Sequence, residues 1–94
     1  MLILITYDVA TGDKAGVRRL RKVARACLDY GQRVQNSVFE CRVDAQHWVL
    51  LRARLLETIN PQEDSLRFYF LDRDVTIEHH GAKEVVDLEA PLVF

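Results

Sequence analysis

Apolar and polar positions along the chain follow two different periods, and the places where the period changes mark its elements. Leu2 to Ile5 is an unbroken apolar run, continued by Thr6-Tyr7-Asp8-Val9 and closed by a Thr11-Gly12-Asp13 turn. A run this short does not by periodicity alone separate strand from helix, but its β-branched residues and the turn behind it predict a strand buried on both faces. Val17, Leu20, Ala24, Cys27 and Leu28 then recur at three and four residues, the spacing of an amphipathic helix. Asp13 is placed to cap its start and Gly31 to stop it. Between Arg33 and Val43 the alternation slips phase: Val34 is in one register, Phe39, Cys41 and Val43 in the other. A one-residue slip turns every side chain over, so this segment needs a bulge or a tight hairpin near Asn36-Ser37; two short antiparallel strands are the expectation.

Asp44 is the expected cap of a second helix, with Trp48, Leu51, Leu55, Leu56 and Ile59 on its buried face and Asn60-Pro61 at its end. Ser65 to Leu71 alternates as a strand, with Leu66, Phe68 and Phe70 on one face and Arg67, Tyr69 and Leu71 on the other. Past Asp72 the pattern weakens; Val75-Thr76-Ile77-Glu78 and Val85-Val86-Asp87-Leu88 have strand character, with Gly81 as a turn. The order βαββαβ predicts an α+β, ferredoxin-like sandwich with both helices on one face of an antiparallel sheet. That leaves the second sheet face and the apolar tail to be covered, so a homodimer is expected. The whole chain, 1–94, is one domain, with a core over about 1–78 and a C-terminal segment over about 79–94.

Ninety-four residues suffice for one core with two packed layers. No apolar run approaches the length needed to cross a bilayer, and no basic region precedes the first one, so neither a membrane span nor a secretory signal is expected. Cys27 and Cys41 lack metal-ligand spacing and read as reduced packing residues of a cytoplasmic protein. The formal net charge of −1 hides an asymmetry. Seven basic residues (Lys14, Arg18, Arg19, Arg21, Lys22, Arg25, Arg33) face a single acid, Asp29, between positions 14 and 33, whereas nine acids face three bases from Glu57 onward. Such one-sided charge suits a polyanionic partner.

Asp8 is the residue with the most chemical promise. It stands at the end of the first strand, where a rigid element delivers a side chain to an open loop. Its plain reading is an Asx-turn over Ala10 and Thr11. The functional alternative needs a second ligand; a two-fold axis beside the strand would supply it, two copies of Asp8 making a hard, oxygen-rich Mg²⁺ site able to act on a phosphate. The arginines of the first helix are either a solvated face or a phosphate-backbone surface, which Arg33 and Gln35 would extend. Ser37 has no nearby His to activate it and reads as a turn residue, and Phe39 reads as core. His79 and His80, being adjacent, would face opposite ways on a strand and cannot share a metal. The aromatic run Leu66-Arg67-Phe68-Tyr69-Phe70 lacks the glycines of an RNA-recognition-motif strand. A ferredoxin-like regulator binding a small ligand between subunits is an alternative, with no glycine-rich segment to support it.

Three pieces taken together resemble one family: the Tyr7-Asp8-Val9 strand end, the Arg-rich helix closed by Asp29-Tyr30-Gly31, and Gln32-Arg33-Val34-Gln35-Asn36-Ser37-Val38-Phe39-Glu40-Cys41. They are similar to the Cas-two family, the small proteins of CRISPR adaptation, and the aromatic strand and Gly81-Ala82-Lys83 fit the same pattern. The resemblance implies a ferredoxin-like homodimer with a C-terminal strand exchanged or added across the interface. It implies that Asp8 is a catalytic Mg²⁺ ligand at the dimer axis and that Arg19, Arg21 and Arg33 contact nucleic acid. Tyr7, Ser37 and Phe39 stand as supporting residues. Two roles follow: a scaffold holding duplex DNA between Cas-one integrase subunits during spacer acquisition, and a metal-dependent endonuclease on RNA or DNA. Asp72 departs from the family pattern, where glycine tends to follow the aromatic strand.

Overall fold

The computed structural model describes residues 1–81. Its elements, in order, are β1 (Leu2–Asp8), α1 (Lys14–Tyr30), β2 (Gln32–Gln35), β3 (Val38–Arg42), α2 (Ala45–Thr58) and β4 (Ser65–Leu71). This is the expected βαββαβ arrangement, a four-stranded antiparallel sheet in the order β2-β3-β1-β4. The opening strand is central: β3 pairs with one edge of it, from Leu2↔Arg42 to Thr6↔Val38, and β4 with the other, from Leu2↔Leu71 to Asp8↔Ser65.

Residues directly opposite in an antiparallel pair share a face. Ile3, Ile5 and Tyr7 therefore face the helices together with Cys41 and Phe39 on one side and Phe70, Phe68 and Leu66 on the other. Ile3, Ile5, Phe39 and Cys41 are fully buried against Val23, Ala26 and Cys27 of α1 and Leu51 and Leu55 of α2. Trp48 closes the end of this core, edge-on to Phe68 at 4.8 Å and to Phe70 at 5.6 Å. The other sheet face carries Leu2, Leu4, Thr6 and Asp8 beside Val38, Glu40 and Arg42 and beside Ser65, Arg67, Tyr69 and Leu71. Both cysteines are buried free thiols, and burial pushes each thiol up to about 12. Among the described residues no helix is long and apolar enough to cross a membrane.

Both features offered for the segment after α1 are present. A tight hairpin turns at Asn36-Ser37, and the register shift between Arg33 and Gln35 makes Val34 the bulged residue. The rotation of α1 differs from expectation. Its buried face is Gly16, Val23, Ala26 and Cys27, flanked by Leu20 and Tyr30, whereas Leu28 is 38% exposed and Ala24 half-buried. The cause is at the first turn: a Cβ on Gly16 would lie 1.9 Å from the Ala10 carbonyl oxygen, so the bare glycine seats the helix directly on the loop after β1 and sets its rotation. On α2 the expected Trp48, Leu51 and Leu55 are buried, but Leu56 is 42% exposed.

Gly31 stops α1 for a reason other than a left-handed cap. Its backbone is extended, its N–H donates to the Cys27 carbonyl at 2.8 Å, and an added Cβ would lie 2.4 Å from both Cys41 Sγ and the Glu40 carbonyl oxygen. Val75–Glu78 is not a strand. The chain leaves β4 through a turn in which the Val75 N–H donates to the Asp72 carbonyl at 3.1 Å, and Val75 and Ile77 stay exposed with no neighbouring ladder among the described residues. The expected strand at Val85–Leu88 and its exchange across a dimer lie outside the described residues.

Candidate metal and nucleic-acid site

Asp8 is exposed at the last position of β1, opposite Ser65, and among the described residues no hydrogen bond or ion pair engages its carboxylate. The loop beyond it is nevertheless tightly held. Val9 is buried in the core, Asp13 caps α1 by accepting from the Gly16 N–H at 2.8 Å, and the Ala10 N–H donates to Asp64 Oδ1 at 3.0 Å. The Asx-turn role considered for Asp8 over Ala10 is thus filled by a different carboxylate, more than fifty residues along the chain.

Asp64 has no exposed side-chain surface. Besides Ala10 it accepts from the Asn60 N–H at 2.8 Å and from Arg19, whose Nε lies 2.8 Å from Oδ2 and Nη2 3.3 Å from Oδ1. The Arg19 guanidinium, helped by the two backbone N–H groups, holds the Asp64 carboxyl below the usual carboxylate range despite the opposing cost of burial. Arg19 is itself only 16% exposed and also reaches Glu63 at 3.6 Å. One buried ion pair therefore ties α1, the loop after Asp8 and the α2–β4 connection together. Asp64 escaped the sequence reading because a carboxylate in an Asn-Pro-rich loop looks like any solvated acid. The cue available was local: the Asn60 side chain closes an Asx-turn on the Gln62 N–H at 3.0 Å, which folds the loop back on itself.

Tyr7, Arg33, Ser37 and Phe39 form a second cluster. The Tyr7 and Phe39 rings stack at 6.0 Å, and the Arg33 guanidinium lies 5.0 Å from the centre of the Phe39 ring. The Tyr7 hydroxyl donates to the Asn36 carbonyl at 3.3 Å, and the Tyr7 N–H to the Ser37 carbonyl at 3.1 Å. Burial raises the Tyr7 phenol, with Arg33 pulling the other way, so the ring is neutral and rigidly placed. Because successive strand residues point to opposite faces, Tyr7 and its cluster lie on the helix side of the sheet while Asp8 lies on the other. Arg21 is exposed on the outer face of α1 with Arg18, Lys22 and Arg25.

No group of three or more His, Cys, Asp or Glu side chains able to hold a metal occurs among the described residues. The β1 end presents one exposed hard carboxylate, a donor type chemically suited to Mg²⁺.

The fold and the site together define the class: a small ferredoxin-like α+β domain with an arginine-rich first helix and, among the described residues, an unengaged carboxylate ending its central strand. The chain belongs to the family of CRISPR-associated protein Cas2, whose profile matches residues 1–76. It is 57% identical to the CRISPR-associated endoribonuclease Cas2 of Chlorobaculum tepidum, over 99% of each chain. It is 54% identical to the CRISPR-associated endonuclease Cas2 of Halalkalibacterium halodurans, over the full length of both. The crystal structure of Streptococcus pyogenes Cas2 at pH 6.5 superimposes with a TM-score of 0.75 at 49% identity, covering 86% of this chain and 100% of that one.

Proposed function

We propose that the protein works in CRISPR adaptation as a cytoplasmic homodimer that holds duplex DNA and bridges Cas-one integrase subunits during spacer acquisition, with Mg²⁺-dependent phosphodiester hydrolysis as a second activity. The observation that carries the hydrolytic part is the state of Asp8. It is exposed at the end of a rigid strand, and the structural work that would explain it is done by Asp64. Two-fold symmetry would bring two such carboxylates to one oxygen-rich site. A Mg²⁺ ion bound there would polarise a phosphodiester and lower the pKa of a bound water. The chain's own residues supply position and charge: Asp64 and Arg19 hold the loop behind Asp8, while Phe39 and Tyr7 fix the Arg33 guanidinium. Arg21 adds charge toward a nucleic-acid backbone. A second reading, in which endoribonuclease activity is the main role, is supported by the name of the C. tepidum relative.

Replacing Asp8 by Ala separates the two. Mg²⁺-dependent cleavage of RNA and DNA by the purified protein is expected to disappear, while spacer acquisition in cells continues. Loss of acquisition together with cleavage would overturn the scaffold reading in favour of the endonuclease.

A further inference from the structure

A groove of about 490 Å³ runs between the two helices, on the side of the sheet away from Asp8, and is lined by Arg21, Lys22 and Arg25 of α1 and by Arg54 and Thr58 of α2. One carboxylate organises it. Asp29 Oδ1 accepts from Arg25 Nε at 3.1 Å and Nη2 at 2.9 Å, and Oδ2 accepts from Arg54 Nη1 at 2.8 Å. Each oxygen of Asp29 is thus turned to one arginine, and two guanidinium groups from different helices are held side by side. The arginines in turn hold the Asp29 carboxyl below its ordinary range, Arg54 foremost. Arg54 keeps its Nε and Nη2 donors free of protein partners among the described residues, and Arg21 and Lys22 have no ion-pair partner there. Four cations against one anion leave three uncompensated positive charges on a concave surface.

We infer that this groove is a binding site for the phosphodiester backbone of nucleic acid, so that the strand contacts the helix layer as well as the region of Asp8. Guanidinium groups pre-oriented by a carboxylate present planar forks that match phosphate oxygens, with less side-chain freedom left to lose on binding. The lining contains no Leu, Ile, Val or aromatic side chain that an acidic amphipathic peptide would require as an anchor. The inference rests on the proposed nucleic-acid role and adds a site to it. Neither Arg25 nor Arg54 follows from the strand-end carboxylate.

Fluorescence anisotropy with a short labelled DNA duplex in EDTA, repeated over a range of salt, tests it. The double variant R25A/R54A is expected to lose at least tenfold in affinity and to make the plot of log K against log salt shallower by about two, each neutralised phosphate contributing about 0.9. R21A/K22A removes two cations that make no intramolecular ion pair among the described residues, so it leaves the fold untouched and should flatten the slope similarly. Arg52→Ala, an exposed α2 residue outside the groove lining, should stay within twofold of the native affinity. Native-like affinity and slope in both groove variants would overturn the site while leaving the proposed function standing. Failure of the native protein to bind the duplex would overturn both. Loss of poly-glutamate binding with duplex binding unchanged would assign the groove to an acidic protein segment instead.

Discussion

Asp64 shows how a residue distant in sequence can decide where the loop after the central strand sits. Its carboxylate accepts from two backbone N–H groups and a nearly buried arginine, and one of those N–H groups belongs to Ala10, two residues past Asp8. Replacing it by Ala leaves Arg19 and the Ala10 amide without their acceptor. Hydrogen bonds to a charged group are worth about 1.5–3 kcal/mol each, so a loss of about 2–4 kcal/mol is expected by denaturant unfolding. The pH dependence has a definite sign. The folded carboxyl lies below its unfolded value, so the unfolded chain binds the proton more readily. The stabilisation is therefore complete above an unfolded pKa of about 3.9 and is lost as pH falls through the lower folded value. Asp64→Asn, which cannot carry the charge, should show a weaker decline of stability than the native protein as pH falls below the unfolded pKa of about 3.9. An equal decline in both would place the acid sensitivity on other carboxylates.

The elements were legible wherever their cause is local. The strand Leu2–Asp8 could be read from an apolar run closed by a turn, and the hairpin from the phase slip between Val34 and Phe39. Both helix caps, Asp13 and Asp44, could be read from residue type alone; each accepts an N–H three residues on, at 2.8 Å. What could not be read were contacts made across the fold. The Arg19–Asp64 pair joins residues with no shared periodicity, and the rotation of α1 depends on how closely Gly16 approaches the Ala10 carbonyl. Gly16→Ala sets two effects against each other. Alanine gains about 1 kcal/mol of helix propensity over glycine. Its Cβ, however, meets backbone atoms at 1.9 and 2.9 Å that cannot swing aside as a flexible side chain would. Overpacking of this kind costs about 1–3 kcal/mol, more where backbone must move, so the clash should win. A lower Tm for Gly16→Ala is the expected result, and a higher one would mean that α1 can rotate off the loop. The same reasoning explains the Val75–Glu78 segment, whose residue types suit a strand but which has no edge to pair with among the described residues.

At the scale of the whole molecule, one chain supplies one strand-end carboxylate and a basic helix layer on opposite sides of the same sheet. That division matters for metal binding. A lone carboxylate binds Mg²⁺ weakly, because the ion sheds its water reluctantly and needs several hard donors held in octahedral geometry. The proposed dimer changes the ligand count without changing the chain, since an isologous interface presents each residue twice across its axis. The consequence is a stoichiometry. Titrating the metal-free protein with Mn²⁺ as a paramagnetic stand-in for Mg²⁺ should give one bound ion for every two chains, and the binding should vanish in Asp8→Ala while the mass in solution stays that of a dimer. Affinity should also fall on dilution below the dimer dissociation constant, because the site is then divided between separated chains. One ion per chain, or a site that survives loss of Asp8, would place the metal elsewhere, and Asp8 would then be left without a role in holding it.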